Sequence, residues 1–277
     1  LARTFGTNRD RVKFLVRRGG NKRYTGNIRS AQTDESPASA SVSETNALWG
    51  EIDIPVHVNL ANVPVSKSLL EDSGLDLLND VLMPEFTSQA AIKEDEQFLV
   101  GSGVKEPQGI LNGTAANGSP FNADVATQVT GSAAAITFDG FVATPYNLAG
   151  QYRMRNKPSV GWAFTSTTAG LLAKLKNADG EYLWREMYGN NAVAAPDTLR
   201  GYKMFESEAM PEVAANTYPV LFGDFEGYRI ADRVGMSVER YSDSNTAATD
   251  SVIFYLRRRY GGQCAEGYRF VAQKCSV

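Results

Sequence analysis

One stretch, residues 69–111, constrains the fold of this 277-residue chain more than any other. It reads LLEDSGLDLLNDVLMPEFTSQAAIKEDEQFLVGSGVKEPQGIL, which predicts a short helix, a longer helix and a glycine-rich exit. Ser73 is a good N-cap, and Asp76 completes an S-x-x-D capping box, so we expect a helix to start here. Apolar residues at helical spacing predict one buried face. They are Leu75, Leu78, Val81, Leu82, Phe86, Ile92 and Leu99.

Prolines and glycines set the limits of this helix. Pro84 has no N–H to donate to the carbonyl of Asp80, which predicts a kink or a break there. Gly101 and Gly103 permit backbone conformations that other residues avoid. Pro107 and Gly109 then favour a second turn, so we expect the helix to end sharply near residue 100. The candidate structural residues of this exit are Gly101, Gly103, Pro107 and Gly109.

Composition excludes several classes of protein. With 43% hydrophobic and 21% charged residues, the chain has the make-up of an ordinary globular protein, long enough for one large domain or two medium ones. It contains no apolar run of 18 residues and no recognisable leader, so we expect neither a membrane span nor a secretory signal. The net charge of −3 gives no overall basic surface for gripping nucleic acid through its phosphates.

No motif of an enzyme or metal site is present. Walker-type phosphate loops, G-x-S-x-G elbows, H-E-x-x-H sequences and EF-hand loops are absent from the sequence, and so is any CxxC pair. His57 is the single histidine and lies in an alternating strand pattern. We therefore predict no catalytic residue, metal ligand or cofactor. The abundance of Asp and Glu is the one feature that supports a carboxylate-based hydrolase as an alternative.

The two cysteines lie near the end of the chain. Cys264 and Cys275 are eleven residues apart, and free thiols are the favoured interpretation. A disulfide between them, or between subunits, is the alternative.

The first sixty residues predict an extended segment and a hairpin. Residues 1–23 are basic without a helical period, which indicates an extended arm or, alternatively, a frayed terminus. Residues 27–46 are small and polar, so they form either a linker or the tip of a hairpin. An alternating apolar pattern over 52–60 predicts the following strand, with Trp49 anchoring its base.

The rest of the chain predicts a mixed sheet and then mainly strands. We expect strands at 125–129 and 162–164, a helix with Asp139 as its N-cap, and a helix beginning at Thr167. From residue 219 the pattern is β. Pleating would place Arg257 and Arg259 on one face of their strand, where they are either solvated or paired with another subunit.

Four segments together resemble the major capsid proteins of tailed bacteriophages with the Hong Kong 97-type fold. EDEQFLVGSGVKEPQGIL ends the acidic helix, and VPVSKSLLEDS precedes it. WAFTSTTAGLLAKLKNADGEYLW and PVLFGDFEGYRIADRVGMSVER follow in the family's order. The last segment contains Gly223 and Asp224 in its G-D-F sequence, and these two residues join the structural candidates.

The resemblance implies an α+β fold with named parts. Residues 1–23 would form the N-arm, and 24–62 the E-loop hairpin with its flanking strands. Residues 63–105 and 226–266 would form the P-domain, with a spine helix over about 73–100. Residues 106–225 and 267–277 would form a mixed α/β A-domain.

The implied function is structural. The resemblance implies a major head protein that self-assembles into pentamers and hexamers of an icosahedral shell enclosing double-stranded DNA, within the cytoplasm of a bacterial host. Implied partners are other copies of the chain, a portal, a maturation protease and, as a further candidate, a decoration protein; a specific nucleic-acid sequence and a membrane are not among them. The start at Leu1 is compatible with removal of a scaffolding segment. An encapsulin-like nanocompartment shell is the alternative.

The sequence departs from the family's prototype at one point. The prototype joins its subunits covalently through a lysine of the E-loop, but residues 31–60 contain no lysine. We therefore expect a shell held together by non-covalent contacts.

Overall fold

A computed structural model describes residues 2–17, 49–72, 77–111, 126–130, 132, 135–176, 198–242 and 249–276. The strands are β1 (Arg3–Gly6), β2 (Arg11–Arg17), β3 (Trp49–Pro55), β4 (His57–Ser66), β5 (Ala126–Val129), β6 (Val160–Phe164), β7 (Thr198–Leu199), β8 (Tyr202–Glu206), β9 (Val220–Asp224), β10 (Tyr228–Tyr241), β11 (Ser251–Cys264) and β12 (Phe270–Lys274). The α-helices are α1 (Lys67–Asp72), α2 (Met83–Val100), α3 (Phe138–Ala143) and α4 (Ser166–Ala173). A π-helical segment covers Leu77–Leu82, and 3-10 turns cover Thr144–Asn147, Gly150–Tyr152, Phe225–Gly227 and Gly267–Arg269.

The long helix changes from π-helical to α-helical geometry beside Pro84. The π-helical segment ends at Leu82, and α2 begins at Met83 with Pro84 in its first turn. Proline is tolerated there because the first N–H groups of a helix have no intrahelical acceptor. Within the predicted spine helix over about 73–100, the structure has a π-helical turn followed directly by an 18-residue α-helix, so the irregularity predicted at Pro84 is a change of helix type. The predicted cap at Ser73 and Asp76 lies outside the described residues.

The buried face of α2 differs in part from the predicted one. Phe86 and Leu99 are buried as expected, but Ile92 is 60% exposed, and Val81 of the preceding π-helical segment is 47% exposed. Gln97 takes a buried position instead, because its Oε1 accepts a hydrogen bond of 2.6 Å from the hydroxyl of Tyr260. A polar side chain with a partner can occupy such a position, and periodicity alone does not reveal the partner.

A four-stranded sheet in the order β1-β10-β11-β4 supports α2. β1 pairs parallel with β10, whereas β10 with β11 and β11 with β4 pair antiparallel. The segments GYRIADR and GMSVERYS form the single strand β10, whose pairing with β11 is irregular between Asp232 and Ser237. Phe86 packs with Val252 and Phe254 of β11 in one hydrophobic cluster, which attaches the helix to this sheet.

A six-stranded sheet in the order β5-β12-β9-β6-β8-β7 forms the larger core. Every residue of β6 and β9 is buried. Strands β5 and β6 confirm the predictions at 125–129 and 162–164, although β6 begins two residues earlier. The N-cap of α3 is Thr137 rather than Asp139, and α4 begins at Ser166 behind the N-cap Thr165. In both cases the threonine hydroxyl accepts a hydrogen bond from the backbone N–H three residues later, which is the usual geometry of an N-cap.

The N-terminal residues form a two-stranded sheet. β2 pairs antiparallel with β3, in the register Val12 with Ile54 and Arg17 with Trp49. The run over 52–60 is therefore not one strand, because it divides at Val56 between this hairpin and β4. The range 1–23 supplies β1 and β2, while residues 27–46 and the side chain of Trp49 lie outside the description. None of the helices in the described ranges is long and apolar enough to cross a membrane.

Candidate functional site

The exit of α2 is a tight antiparallel return of the chain. The N–H of Gly101 donates to the carbonyl of Gln97 at 3.0 Å, and the N–H of Gly109 donates to the carbonyl of Gly101 at 2.8 Å. The N–H of Leu111 reaches the carbonyl of Leu99 at 2.8 Å, so the segment runs back over the last turn. The structure thus brings together Gly101, Gly103, Pro107 and Gly109.

Two kinds of constraint require glycine here. A Cβ on Gly101 would lie 2.3 Å from the carbonyl oxygens of both Gln97 and Pro107, and one on Gly109 would lie 2.5 Å from the nitrogen of Gly101. Gly103 has a φ of +77°, a conformation that other residues rarely adopt. Gly101 itself has a φ of −54°, so it is needed for space and not for its backbone angle.

Side chains hold the return in place. Oε1 of Glu106 accepts from the N–H of Ser102 at 2.8 Å and from its hydroxyl at 2.6 Å. These two hydrogen bonds lower the pKa of Glu106, and the one from the hydroxyl of Ser102 has the larger effect. The buried hydroxyl of Tyr228 donates to the carbonyl of Gln108 at 2.8 Å, which joins this loop to β10. Hydrogen bonds therefore connect the two sides of the exit and attach it to β10.

Asp224 is the centre of a buried polar cluster. Its side chain is fully buried. Oδ1 accepts from the hydroxyl of Ser159 at 2.7 Å and from the N–H of Glu226 at 3.2 Å. Oδ2 lies 3.0 Å from Nη1 of Arg269 and 3.3 Å from Nζ of Lys157. The carboxylate thus ties the end of β9 to the segments that precede β6 and β12.

Hydrogen bonds and cations keep Asp224 ionised. Burial is the largest single influence and would raise its pKa, but the bond from Ser159, the guanidinium of Arg269 and the other donors outweigh it and lower the pKa. Next to it, Gly223 pairs with Phe270 on one side and Gly161 on the other. A Cβ on Gly223 would lie 2.5 Å from the carbonyl oxygen of Arg269. Both residues of the G-D-F sequence therefore serve the interior of the subunit.

The arginines of β11 differ in their surroundings: one is exposed to solvent, and others form ion pairs within the chain. Arg257 is exposed, whereas Nη2 of Arg259 lies 2.5 Å from Oδ1 of Asp10. Arg233 of β10 pairs with the same oxygen. Within the chain, Arg259 is therefore paired and not simply solvated, and it holds the N-terminal segment to the four-stranded sheet; pairing of these arginines with another subunit stays a prediction.

A second ion-pair group joins α2 to the same sheet. Arg258 pairs with Glu94 of α2, and its Nη2 lies 3.8 Å from Asp232 of β10. Burial raises the pKa of Glu94, although Arg258 opposes that shift. Sequence reasoning missed both Asp10 and Glu94, because no local pattern links a carboxylate to an arginine more than 150 residues away.

The outward face of the hairpin is exposed and partly apolar. Leu15 is 77% exposed, while its neighbour Val16 and Ile54 of β3 are buried. Arg11 and Lys13 on the outward face form cross-strand ion pairs, Arg11 with Asp53 at 2.9 Å and Lys13 with Glu51 at 2.6 Å. The inward face is attached to β1, since the rings of Phe5 and Phe14 lie 4.8 Å apart.

The two cysteines are buried and the single histidine is half-buried. Both cysteines are buried and neither forms a disulfide in the described part of the chain, in agreement with the favoured prediction of thiols. Burial lowers the pKa of His57, and Glu106 only partly opposes this. Within the described residues, no group of three or more His, Cys, Asp or Glu side chains is placed to hold a metal ion.

Comparisons with known proteins agree with this architecture. The profile of the phage capsid family matches residues 2–275. The capsid of a native GTA particle superposes with a TM-score of 0.79 at 29% identity, and that of an empty GTA particle with 0.78 at 31% identity; each match covers all of this chain and 88% of the other. No curated protein matches.

A more distant structure shows the same fold. The match to Mycobacterium phage Bobi has a TM-score of 0.66 at 16% identity and covers 99% of this chain and 88% of the other. These similarities give no support to the encapsulin-like alternative. A sheet-supported helix with a tight glycine exit, an N-terminal hairpin and similarity along the whole chain lead to one assignment. The chain belongs to the phage capsid family and is a structural capsid protein with an α+β fold of the Hong Kong 97 type.

Proposed function

We propose that this chain is the major head subunit of a tailed-phage-type particle, and that it assembles as pentamers and hexamers into a closed icosahedral shell around double-stranded DNA. One structural observation carries the proposal. The hairpin of β2 and β3 turns the 77%-exposed Leu15 outward. A two-stranded sheet is marginal by itself in water, and a large exposed apolar side chain favours contact with a neighbouring surface. The neighbour in a shell is another copy of this chain.

The hairpin is proposed as the E-loop. Its first strand is β2, so this element would begin near residue 11, and the arm before it would consist of β1 and its flanking residues. The proposed P-domain, 63–105 and 226–266, contains α2, β10 and β11, while β1 and residues 57–62 of β4, which belong to the same sheet, lie in the ranges proposed for the N-arm and the E-loop. The six-stranded sheet corresponds to the proposed A-domain, 106–225 and 267–277.

The shell is proposed to be non-covalent and without enzymatic activity. Residues 31–60 contain no lysine for a cross-link, and each subunit would instead be held by several weak contacts at once. The proposed partners are a portal, a maturation protease and a decoration protein, with assembly in the cytoplasm of a bacterial host. The net charge of −3 favours enclosure of DNA over sequence-specific binding.

Negative-stain electron microscopy and sizing of the purified protein test the proposal. We expect uniform closed shells or ring-shaped capsomers. A monodisperse monomer under all assembly conditions would contradict it. Deleting residues 27–46 tests the hairpin specifically: we expect a folded subunit that forms fewer or less stable shells, and particles of normal yield and stability would rule out the E-loop assignment.

A further inference from the structure

A basic and aromatic surface lies at one end of strands β6 and β8. The guanidinium of Arg153 lies 4.8 Å from the centre of the Tyr146 ring, and that of Arg200 lies 5.6 Å from the same centre. Arg155 is exposed, and its guanidinium lies 5.6 Å from the centre of the Tyr202 ring. Tyr146 is 61% exposed. We refer to Tyr146, Arg153, Arg155 and Arg200 as the basic end.

This arrangement is held by the fold. The hydroxyl of Tyr202 donates to the carbonyl of Arg153 at 2.8 Å, and Nη1 of Arg200 donates to the carbonyl of Val142 at 3.1 Å. Among the described residues, no carboxylate forms an ion pair with Arg153, Arg155 or Arg200. Their positive charge is therefore available to a partner.

A surface of opposite charge lies at the other end of the same strands. Glu206 is the last residue of β8, and Glu208 accepts a hydrogen bond from Ser166 at the start of α4. Asp95 of α2 accepts a hydrogen bond from Ser207. Glu212 lies in the connection from β8 to β9. We refer to Asp95, Glu206, Glu208 and Glu212 as the acidic end; all four are exposed, and within the described ranges none forms an ion pair.

The two ends cannot meet within one subunit. β6 and β8 run parallel, with Gly161 opposite Lys203, so their starts share one edge of the sheet and their ends share the opposite edge. A five-residue strand separates the two edges by roughly 16 Å. Two complementary surfaces at opposite ends of the same strands would allow a head-to-tail contact, the type that closes into a ring when repeated by rotation.

The acidic end also offers room for an arginine side chain. A cavity of about 370 Å³ opens there, with Asp95 and Glu206 among its lining residues and apolar walls that include Phe98 and Phe205. Apolar walls accommodate the aliphatic stem of an arginine, while the carboxylates pair with its guanidinium.

We propose that the basic end of one copy of this chain docks on the acidic end of the next copy, and that this contact sets the direction of the ring around a capsomer axis. This inference rests on the proposed shell function. Its recognition is electrostatic, so it should be sensitive to salt and to charge reversal at either end.

Charge reversal tests the contact in the full chain. We expect Arg155→Glu and Glu206→Arg each to raise the protein concentration needed for assembly by about tenfold or more, because the contact recurs around every ring. The double variant R155E/E206R should recover most of the loss. Arg240→Glu, an exposed reversal on β10, is the control and should assemble as the unmodified chain does. Unchanged melting temperatures would show that all variants are folded.

The outcomes separate this contact from the shell function itself. If the unmodified chain forms no shells or rings, the proposed function fails. If it assembles but both single variants assemble equally well, or the double variant recovers nothing, the head-to-tail contact is wrong. If Arg155→Glu assembles normally but its subunits lose binding to a fluorescent double-stranded oligonucleotide, the basic end serves nucleic acid instead, and the contact is again refuted.

Discussion

Two regions of the subunit differ sharply in how completely their side chains are buried within one chain. In the interior, which we define as the helix exit 101–111 with the six-stranded sheet, strands β6 and β9 are entirely buried and Asp224 has no exposed surface. In the N-terminal strands β1–β3, Leu15 is 77% exposed and the side chain of Arg11 is 70% exposed. The interior is complete within one chain, whereas the N-terminal strands bury only one of their two faces.

The difference implies a division of labour. Adding a single atom to a closely packed region lowers the stability of the subunit, because protein interiors have almost no free space. A substitution on an open face changes the stability of the isolated subunit less, but it should change the assembly of the shell. Substitutions in the interior should therefore reduce the stability of the subunit, and substitutions on the open face should reduce assembly.

The largest effect is expected at the helix exit. Gly101→Val places a side chain 2.3 Å from two carbonyl oxygens and should destabilise the subunit by about 4 kcal/mol or more, or prevent folding. Thermal melting and soluble yield measure this. Gly170→Ala, where a Cβ would meet nothing within 4 Å, is the control and should stabilise α4 by about 0.5–1 kcal/mol. A Gly101→Val variant that melts with the unmodified chain would contradict the close packing of the exit.

Asp224→Asn should have the next largest effect. It removes the charge that pairs with Arg269 and Lys157 in a buried site, so we expect a loss of about 3 kcal/mol in the free energy of unfolding. Asp72→Asn, an exposed change, should stay within about 0.5 kcal/mol. Chemical denaturation at neutral pH distinguishes the two.

The same carboxylate predicts a dependence on pH. The pKa of Asp224 in the folded subunit is lower than its ordinary value of 3.8, so its stabilisation is present above that value and is lost as the pH falls through the lower folded pKa. The difference in unfolding free energy between the unmodified chain and Asp224→Asn should shrink from about pH 5 to about pH 2. A constant difference across that range would show that the charge of Asp224 contributes nothing.

A smaller and local effect is expected at Asp10. Its side chain is 69% exposed, so the loss of its pairs with Arg259 and Arg233 in Asp10→Asn should change overall stability by about 1 kcal/mol or less. Hydrogen exchange at the amides of β1 and β2 should become faster. Asp250→Asn, which removes the ion pair of a similarly exposed aspartate with Lys67, should leave exchange in these strands unchanged. Equal exchange in both variants would mean that Asp10 does not hold the N-terminal segment.

The smallest effect on the subunit is expected at Leu15. Leu15→Ser should change the free energy of unfolding by no more than about 0.5 kcal/mol but should reduce shell formation, because the exposed apolar surface is lost. Val16→Ser is the matched control on the buried face of the same strand and should destabilise the subunit by about 2 kcal/mol. Light scattering measures shell formation, and thermal melting of the free subunit measures its stability. Normal assembly of Leu15→Ser would show that the outward face of the hairpin does not contact a neighbouring subunit.

Local sequence patterns predicted the elements that local chemistry governs. The change of helix type beside Pro84, the sharp exit at Gly101 and the buried strand at 162–164 follow from a missing N–H, the absence of a Cβ and a run of apolar residues. The buried Gln97 and the division of 52–60 at Val56 were not predicted. Both depend on partners far away in the sequence: Tyr260 bonds to Gln97, and β11 pairs with β4 but not with β3.

The sequence by itself determined the family, the sharp end of the long helix and the buried strand at 162–164, and it contains no known catalytic motif, because each of these features depends on residues that are close together in the chain. Only the tertiary structure decided what the charged residues do. Asp10 meets Arg259 across 249 positions, and Asp224 meets Arg269 across 45. Which charges are paired and which remain on the surface depends on the register of the sheets, since one shift of a strand exchanges its two faces.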